Sequence, residues 1–194
     1  MLILGRHEVM EWRGQAVPWT TAWSAEIEPR LYVTRDGRAV ASCNLAPGVG
    51  VPKFASNHPT RHARSIIERL CSVCGTRMDE EWVWCVPMDL RSGAQPDLLS
   101  EPATHEDCLR FSCTACPALV RRRPPIWRLR RWAVHYLDID LLAEAKEIKA
   151  MTPEALVPRL ASTVAYSPIG LTRTCTYEDF LARGRTYLRA LSKF

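Results

Sequence analysis

No stretch of this chain approaches the roughly 20 consecutive apolar residues that a membrane-spanning helix requires. The opening M-L-I-L-G-R-H-E-V-M has too short an apolar core for a secretory signal, and charge follows it at once. The expectation is a protein made and kept in the cytoplasm, with no membrane partner. Catalytic devices are scarce as well. There is no G-x-S-x-G elbow for acyl transfer and no G-x-x-x-x-G-K-[ST] loop to cradle a nucleotide's phosphates. His105-Glu106 lacks the second helical histidine of H-E-x-x-H, and the deaminase order, H-x-E before P-C-x-x-C, is missing. No internal repeat is visible.

What is present is ordinary for a folded domain: 194 residues, 47% hydrophobic and 24% charged. A chain this long buries enough surface to fold without covalent staples. Seven Trp and 14 Pro suggest loops and aromatic anchors rather than a plain helical bundle, and we read Trp19 and Trp23 as such anchors. The net charge of +5 is mild, so its distribution matters more than its sum.

Six of the eight cysteines fall between residues 71 and 116. In a reducing compartment disulfides are disfavoured, so paired C-x-x-C spacings point to metal or redox chemistry. Zinc asks for four borderline or soft ligands in a tetrahedron, commonly as two pairs, each close in sequence. Cys71 and Cys74, followed by Gly75, form one pair. The second pair is either His105 with Cys108, on the first turn of a predicted helix whose free N–H groups favour thiolate, or Cys113 with Cys116. On one helix Cys116 would lie about 16 Å along the axis from His105, beyond the reach of a single ion. We favour Cys71, Cys74, His105 and Cys108, with the Cys113/Cys116 version kept open. A thiolate-rich set fills the shell and makes a poor Lewis acid, so the expected zinc is structural and the protein non-catalytic. A redox pair is disfavoured because a helix precedes Cys71 and a turn follows Cys74. Cys43, Cys85 and Cys175 read as small buried hydrophobes.

The expected fold is α+β: a β-rich part over 1–56, a treble-clef-like zinc module over 57–120, and a C-terminal α/β part over 121–194, packed as one compact unit. L-Y-V-T-R-D-G-R-A-V-A-S predicts a hairpin turning at Asp36-Gly37. N-H-P-T-R-H-A-R-S-I-I-E-R-L predicts a helix capped by Asn57 or Thr60. Its apolar stripe is Ala63, Ile66, Ile67 and Leu70, and its other side carries Arg61, Arg64 and Arg69. E-W-V-W-C is a short strand, a helix starts at Thr104, and Pro117 ends or bends it. I-W-R-L-R-R-W-A-V-H-Y is ambiguous between strand and helix. D-L-L-A-E-A-K-E-I-K-A and T-P-E-A-L-V-P-R-L are helical, and S-T-V-A-Y-S is a strand. The final amphipathic helix opens at T-Y-E-D and is lined by Tyr177, Phe180, Leu181, Leu188 and Leu191.

Arg121, Arg122, Arg123, Arg128, Arg130 and Arg131, interleaved with Trp127, suggest a surface for DNA or RNA. A role as a protein-interaction adaptor, or as a regulator engaging a host or phage protein, is the alternative. A zinc-containing enzyme is the third reading. His58 and His62, at i and i+4, would then bind a second metal or serve as acid and base; their plain reading is a helix-start histidine and a solvated one.

The runs V-P-W-T-T-A-W-S-A-E, N-H-P-T-R-H-A-R-S-I-I-E-R-L-C-S-V-C-G and H-E-D-C-L-R-F-S-C-T-A-C-P resemble a family of small zinc-ribbon-like proteins of actinobacteria and their phages. The resemblance covers about residues 15 to 137. It implies the metal module and a strand at I-W-R-L-R-R-W-A-V-H-Y, and it implies no reaction. Ala118 stands where the family often has a histidine, so no ligand is expected there.

Overall fold

The computed structural model describes residues 2–4, 7–26, 30–33, 39–42, 46–87, 99, 101–136, 164–169 and 173–182. Strands β1 (Leu2–Leu4), β2 (His7–Trp12) and β3 (Gln15–Val17) form an antiparallel meander. Arg13 and Gly14 turn β2 into β3 with φ of 49° and 79°, the two-residue geometry that matches strand twist. At the start of β2 His7 and Val9 are buried while Glu8 between them faces solvent, the period-2 signature of one face on a core; Glu11, on the same side as Val9, is already exposed.

Two further pairs follow. β4 (Thr21–Trp23) lies antiparallel to β7 (Pro52–Asn57). β5 (Arg30–Val33) pairs with β6 (Ala39–Ser42), forming the expected hairpin, although Asp36-Gly37 itself lies outside the described residues.

Helix α1 (Pro59–Ile67) starts with proline in its first turn, where a missing N–H costs nothing. Its cap is His58, whose Nδ1 accepts from the Arg61 N–H at 3.4 Å, rather than Asn57 or Thr60. The expected basic face is also corrected. Arg61 is buried, and its guanidinium donates to both Glu26 carboxylate oxygens and to the carbonyls of Trp19 and Thr21, the last two at 2.7 Å each. Glu26 additionally accepts from the backbone of Trp23 (2.8 Å) and Ala46 (3.0 Å). A buried ion pair persists only when its remaining polar atoms are satisfied, and this one joins β4, α1 and the 46–51 loop. His58 and His62 are buried too, so neither is solvated. Ile67, expected in the apolar stripe, is 43% exposed.

Strand β8 (Val83–Cys85) joins β9 (Ile126–Leu129) and β12 (Arg173–Cys175) in a three-stranded antiparallel sheet, β9 in the middle. Its register opposes Val83 to Leu129, Trp84 to Arg128, Cys85 to Trp127, and Arg128 to Arg173. Alternation therefore divides the sheet between two cores. Val83, Leu129 and Cys85 pack with Val9, Ile66, Met78 and Tyr166 on one side. Trp84 and Ile126 pack with Leu109, Cys113, Tyr177 and Phe180 on the other.

Helix α2 (Glu106–Ala115) breaks at Cys116 and continues as α3 (Pro117–Arg122), the bend expected of Pro117. I-W-R-L-R-R-W-A-V-H-Y is strand, interrupted at Arg130, its second half being β10 (Arg131–Tyr136). β10 forms a six-residue ladder with β11 (Val164–Ile169), the expected strand. The last helix opens at Tyr177, with Thr176 Oγ1 accepting from the Asp179 N–H at 3.1 Å. Leu188 and Leu191, Cys43, and the two helices expected between 140 and 160 lie outside the described residues.

The architecture is thus α+β with several small sheets. Val9, Ile66 and Tyr166, from distant parts of the chain, share one core.

Candidate metal centre

Cys71 and Cys74 sit on a tight loop whose geometry is set by backbone hydrogen bonds. The N–H of Gly75 donates to the Cys71 carbonyl at 2.9 Å, and the N–H of Cys71 to Thr76 O at 2.9 Å. Leu70 and Arg77 bridge antiparallel below the loop. Gly75 has φ of +74°, and a Cβ there would stand 2.6 Å from the Trp19 ring, so this position demands glycine on two counts. Trp19 and Thr20 donate backbone bonds to Val73 and Ser72 at 2.8 and 3.1 Å, tying the N-terminal segment to the loop.

The other two ligands come from the start of α2. The loop is joined to that region by Ser72 N–H to Ala103 O (3.2 Å), and Thr104 bridges Trp84 of β8. His105 is the N-cap residue but its ring caps nothing, because the ring is turned toward the cysteines. Cys108, three residues on, projects to the same side and is fully buried.

The three sulfurs and the His105 nitrogen all lie within 4.8 Å of one another. Four ligands about 2.0–2.3 Å from a tetrahedral ion stand about 3.3–3.8 Å apart. Cys74 Sγ and His105 Nδ1 are 3.4 Å apart, close to that spacing. The group can hold a metal ion, and three thiols with one imidazole suit a borderline or soft one.

The proton affinities carry the same message. Hydrogen bonds from Cys108 and Cys71 push the Cys74 thiol far below its usual value, against the opposing pull of burial. The same contacts to Cys71 and Cys74 push Cys108 far up. Burial opposes charge on His105, but the hydrogen bonds and charges of Cys71 and Cys74 outweigh it and lift the ring to about 10. Such thiols cannot all shed protons unless a cation takes their place.

Around the ligands is a set of contacts that spacing did not foretell. Glu80 Oε2 lies 3.5 Å from His105 Nε2, the nitrogen facing away from the sulfurs. His7 of β2 stacks on His105 with ring centroids 3.8 Å apart and 14° between planes. His7, Glu80 and His105 also stand within ligand range of one another. Two nearly parallel stacked rings aim their lone pairs side by side rather than at a common point, so they do not share an ion as placed. A carboxylate on the outer nitrogen and a ring on the face instead hold His105 with Nδ1 toward the thiols. Thr76 Oγ1 is 3.0 Å from Cys74 Sγ.

Cys113 and Cys116 do not join the group. Cys113 is buried in the second core, where burial raises its thiol to about 11, and its carbonyl accepts from Tyr177 Oη. Cys85 is buried and pushed up to about 12 by that burial, a hydrophobe in effect. Cys175 is half-buried against Ile126.

Of the basic set, Arg121, Arg122 and Arg123 are exposed at the end of α3, Arg123 pairing with Glu178 at 3.2 Å. Arg130 pairs with Glu81 at 2.9 Å, and Arg131 is exposed. Trp127 packs against the first core, on the sheet face away from Arg128. Arg128 instead lies over Trp82 (4.7 Å to the centroid) and Trp84 (5.4 Å), and Arg173 also lies over Trp82 (5.8 Å). Trp82 and Arg173 were not singled out from sequence; only the strand register brings them beside Arg128.

Among the described residues no helix is long and apolar enough to cross a membrane. No family model, curated protein or solved structure matches the chain.

Proposed function

We propose that this is a zinc-clamped, non-catalytic protein that binds DNA or RNA through an arginine–tryptophan face of its central sheet. Zinc is the ion we assign, because Cys3His is a common closed structural set and leaves no position for water or substrate. A knuckle, a strand bridged to the segment before a helix, and two ligands on the helix's opening turn make a treble-clef-like module. The resemblance to zinc-ribbon-like proteins of actinobacteria and their phages supports the same choice. All seven described cysteines are free thiols, which favours a reducing cytoplasm.

The observation that carries the nucleic-acid reading is the row Arg173–Trp82–Arg128–Trp84. Among the described residues neither Arg128 nor Arg173 has a carboxylate partner, and Arg128 Nε is buried without a hydrogen bond. Guanidinium groups over indoles can still reach phosphate oxygens with their remaining N–H groups, and the half-buried Trp82 leaves indole surface for a base. One end of this sheet face is closed by Phe180 and Leu109; the Trp82 end is only half-buried.

The test is binding of short single-stranded oligonucleotides, followed by tryptophan quenching across a salt series. Affinity should fall steeply with salt, and Arg128→Ala should reduce the log–log slope by about 0.7. No binding at low ionic strength, or binding indifferent to salt, refutes the reading. A second reading, a protein partner, draws on Val49, Val51 and Phe54, apolar residues each at least half exposed. Substitution of these three should leave oligonucleotide affinity unchanged.

A further inference from the structure

Arg69 occupies a place where a non-glycine residue is costly. It follows the end of α1 with φ of +57°, and the next N–H, that of Leu70, donates back to Ser65 O at 3.0 Å. This is the helix-ending motif whose left-handed residue is usually glycine; any Cβ costs about 1 kcal/mol or more there. Strain of this kind is retained where a side chain is needed.

The Arg69 side chain is held rather than left to wander. Its guanidinium lies over Trp132, 4.6 Å from the ring centroid, and Trp132 is fixed by its own bond to Ile66 O at 3.0 Å. Arg69 Nε is buried without a hydrogen-bond partner, and among the described residues its Nη2 reaches only the Arg130 carbonyl, at 3.5 Å.

Arg69 lines an open cleft of about 290 Å³, between the segment leaving the metal loop and the β9–β10 junction. Charges of both signs face it. Asp79 is paired with Arg77 at 3.2 Å, Glu81 with Arg130 at 2.9 Å, and Glu80 is directed to His105. Arg69 and Arg131 are left without a carboxylate among the described residues. Two unpaired guanidinium groups, one carrying a buried unsatisfied N–H, suit a dianion whose oxygens accept several hydrogen bonds.

We infer that this cleft binds a terminal phosphate group, the phosphomonoester end of the strand lying on the neighbouring arginine–tryptophan face. A phosphomonoester carries about −1.5 to −2 at neutral pH, matching two arginines, whereas an internal phosphodiester carries only a single charge. The cleft adjoins that face along the chain: Glu81 and Arg130 line it, Trp82 follows Glu81, and Arg128 stands two residues before Arg130. This inference rests on the nucleic-acid reading above.

The experiment compares one short oligonucleotide bearing a 5′-phosphate, a 3′-phosphate or hydroxyls at both ends, alongside a nucleoside monophosphate and inorganic phosphate. The proteins are wild type, Arg69→Gly, Arg131→Ala and Trp82→Ala. One phosphorylated end should bind about tenfold tighter than the unphosphorylated strand. Arg69→Gly and Arg131→Ala should abolish that preference while retaining the unphosphorylated strand, and Trp82→Ala should weaken all strands together. Arg69→Gly relieves backbone strain, so unchanged or higher thermal stability separates lost binding from lost folding. Equal binding of all three strands overturns the inference and leaves the nucleic-acid face standing. Nucleoside monophosphate binding as tightly as the phosphorylated strand also overturns it, making the ligand a free nucleotide. No strand binding at low salt removes both.

Discussion

Replacing Cys108 by alanine separates a metal centre from a cluster of buried thiols. If no ion were held there, the change would remove one sulfur from a fully buried site and cost about 1–2 kcal/mol, as for other small core truncations. If an ion is held, the change removes one of four ligands and opens the shell to water. A structural zinc contributes on the order of 10–16 kcal/mol of apparent binding free energy in small metal-folded domains. That is comparable with the whole stability of an ordinary domain, about 5–15 kcal/mol. Loss of the ion therefore consumes the margin, and Cys108→Ala should unfold at least the region from Cys71 to α2. Cys113→Ala is the control: it is equally buried, five residues along the same helix, and belongs to the other core. The assay is guanidinium unfolding with and without a strong chelator, with metal content measured on each protein. Wild type in chelator should fall to the level of Cys108→Ala, and Cys113→Ala should keep one equivalent of metal. Equal, small losses for the two variants, with wild type indifferent to chelator, would refute the metal centre.

Three more outcomes follow from the same geometry. Gly75→Ala should cost about 2–4 kcal/mol, from left-handed strain plus the collision with Trp19; Trp19→Ala should recover part of that loss in a double-mutant cycle read by thermal melting. Glu26→Gln should cost about 3–5 kcal/mol by leaving Arg61 buried without its counter-charge. Burial raises the Glu26 pKa, but the Arg61 bonds win and the folded value is lowered from 4.5. Its contribution is therefore complete above the unfolded pKa and lost as pH falls through the folded one, so Glu26→Gln should flatten the acid limb of a stability–pH curve. Glu80→Gln keeps the shape beside His105 but removes the negative charge 3.5 Å from Nε2, and should speed metal transfer to a chelator about tenfold with little change in thermal stability.

The group that can hold a metal could be read from the sequence because it depends on local spacing: Cys71 and Cys74 share one loop, His105 and Cys108 one helical turn. The rise of a helix shows only that His105 and Cys116 cannot share an ion; the choice between His105/Cys108 and Cys113/Cys116 needed the tertiary placement that brings the first pair to Cys71 and Cys74. The contacts behind His105 were not legible, since His7 lies on the first meander and Glu80 on a loop, and neither position has a periodic signal. The arginines of α1 show why charge is a poor guide to exposure. Arg61 is buried because Glu26, 35 residues earlier, offers it a fully bonded carboxylate. Arg64 is exposed and pairs with Glu68 at 2.7 Å, and Arg69 is held in a left-handed position over Trp132. One residue type takes three roles on and just past a single helix, and only tertiary partners assign them. Likewise R-R-R-P-P-I-W-R-L-R-R-W looks like one basic stripe, yet the strand alternation sends Trp127 into the core and brings Trp82 and Arg173 to Arg128 instead.

The metal loop and the proposed binding face are coupled through the chain itself. Between Cys74 and β8 run Arg77, Asp79, Glu80, Glu81 and Trp82, which supply one wall of the cleft and the indole at the centre of the arginine–tryptophan row. That segment is anchored at its start by the Leu70–Arg77 bridge under the loop and at its end by the pairing of Val83 with Leu129. With the ion removed, the first anchor loses its reason to hold, because the loop's thiols then repel as they ionise or must share protons. Trp82 would then be free to leave its place beside Arg128 of β9. Chelation should accordingly weaken oligonucleotide binding at least as much as Trp82→Ala does, although none of the four metal-site residues belongs to the proposed face. Binding that survives complete metal removal would mean that the sheet alone builds the face and that the metal serves only stability.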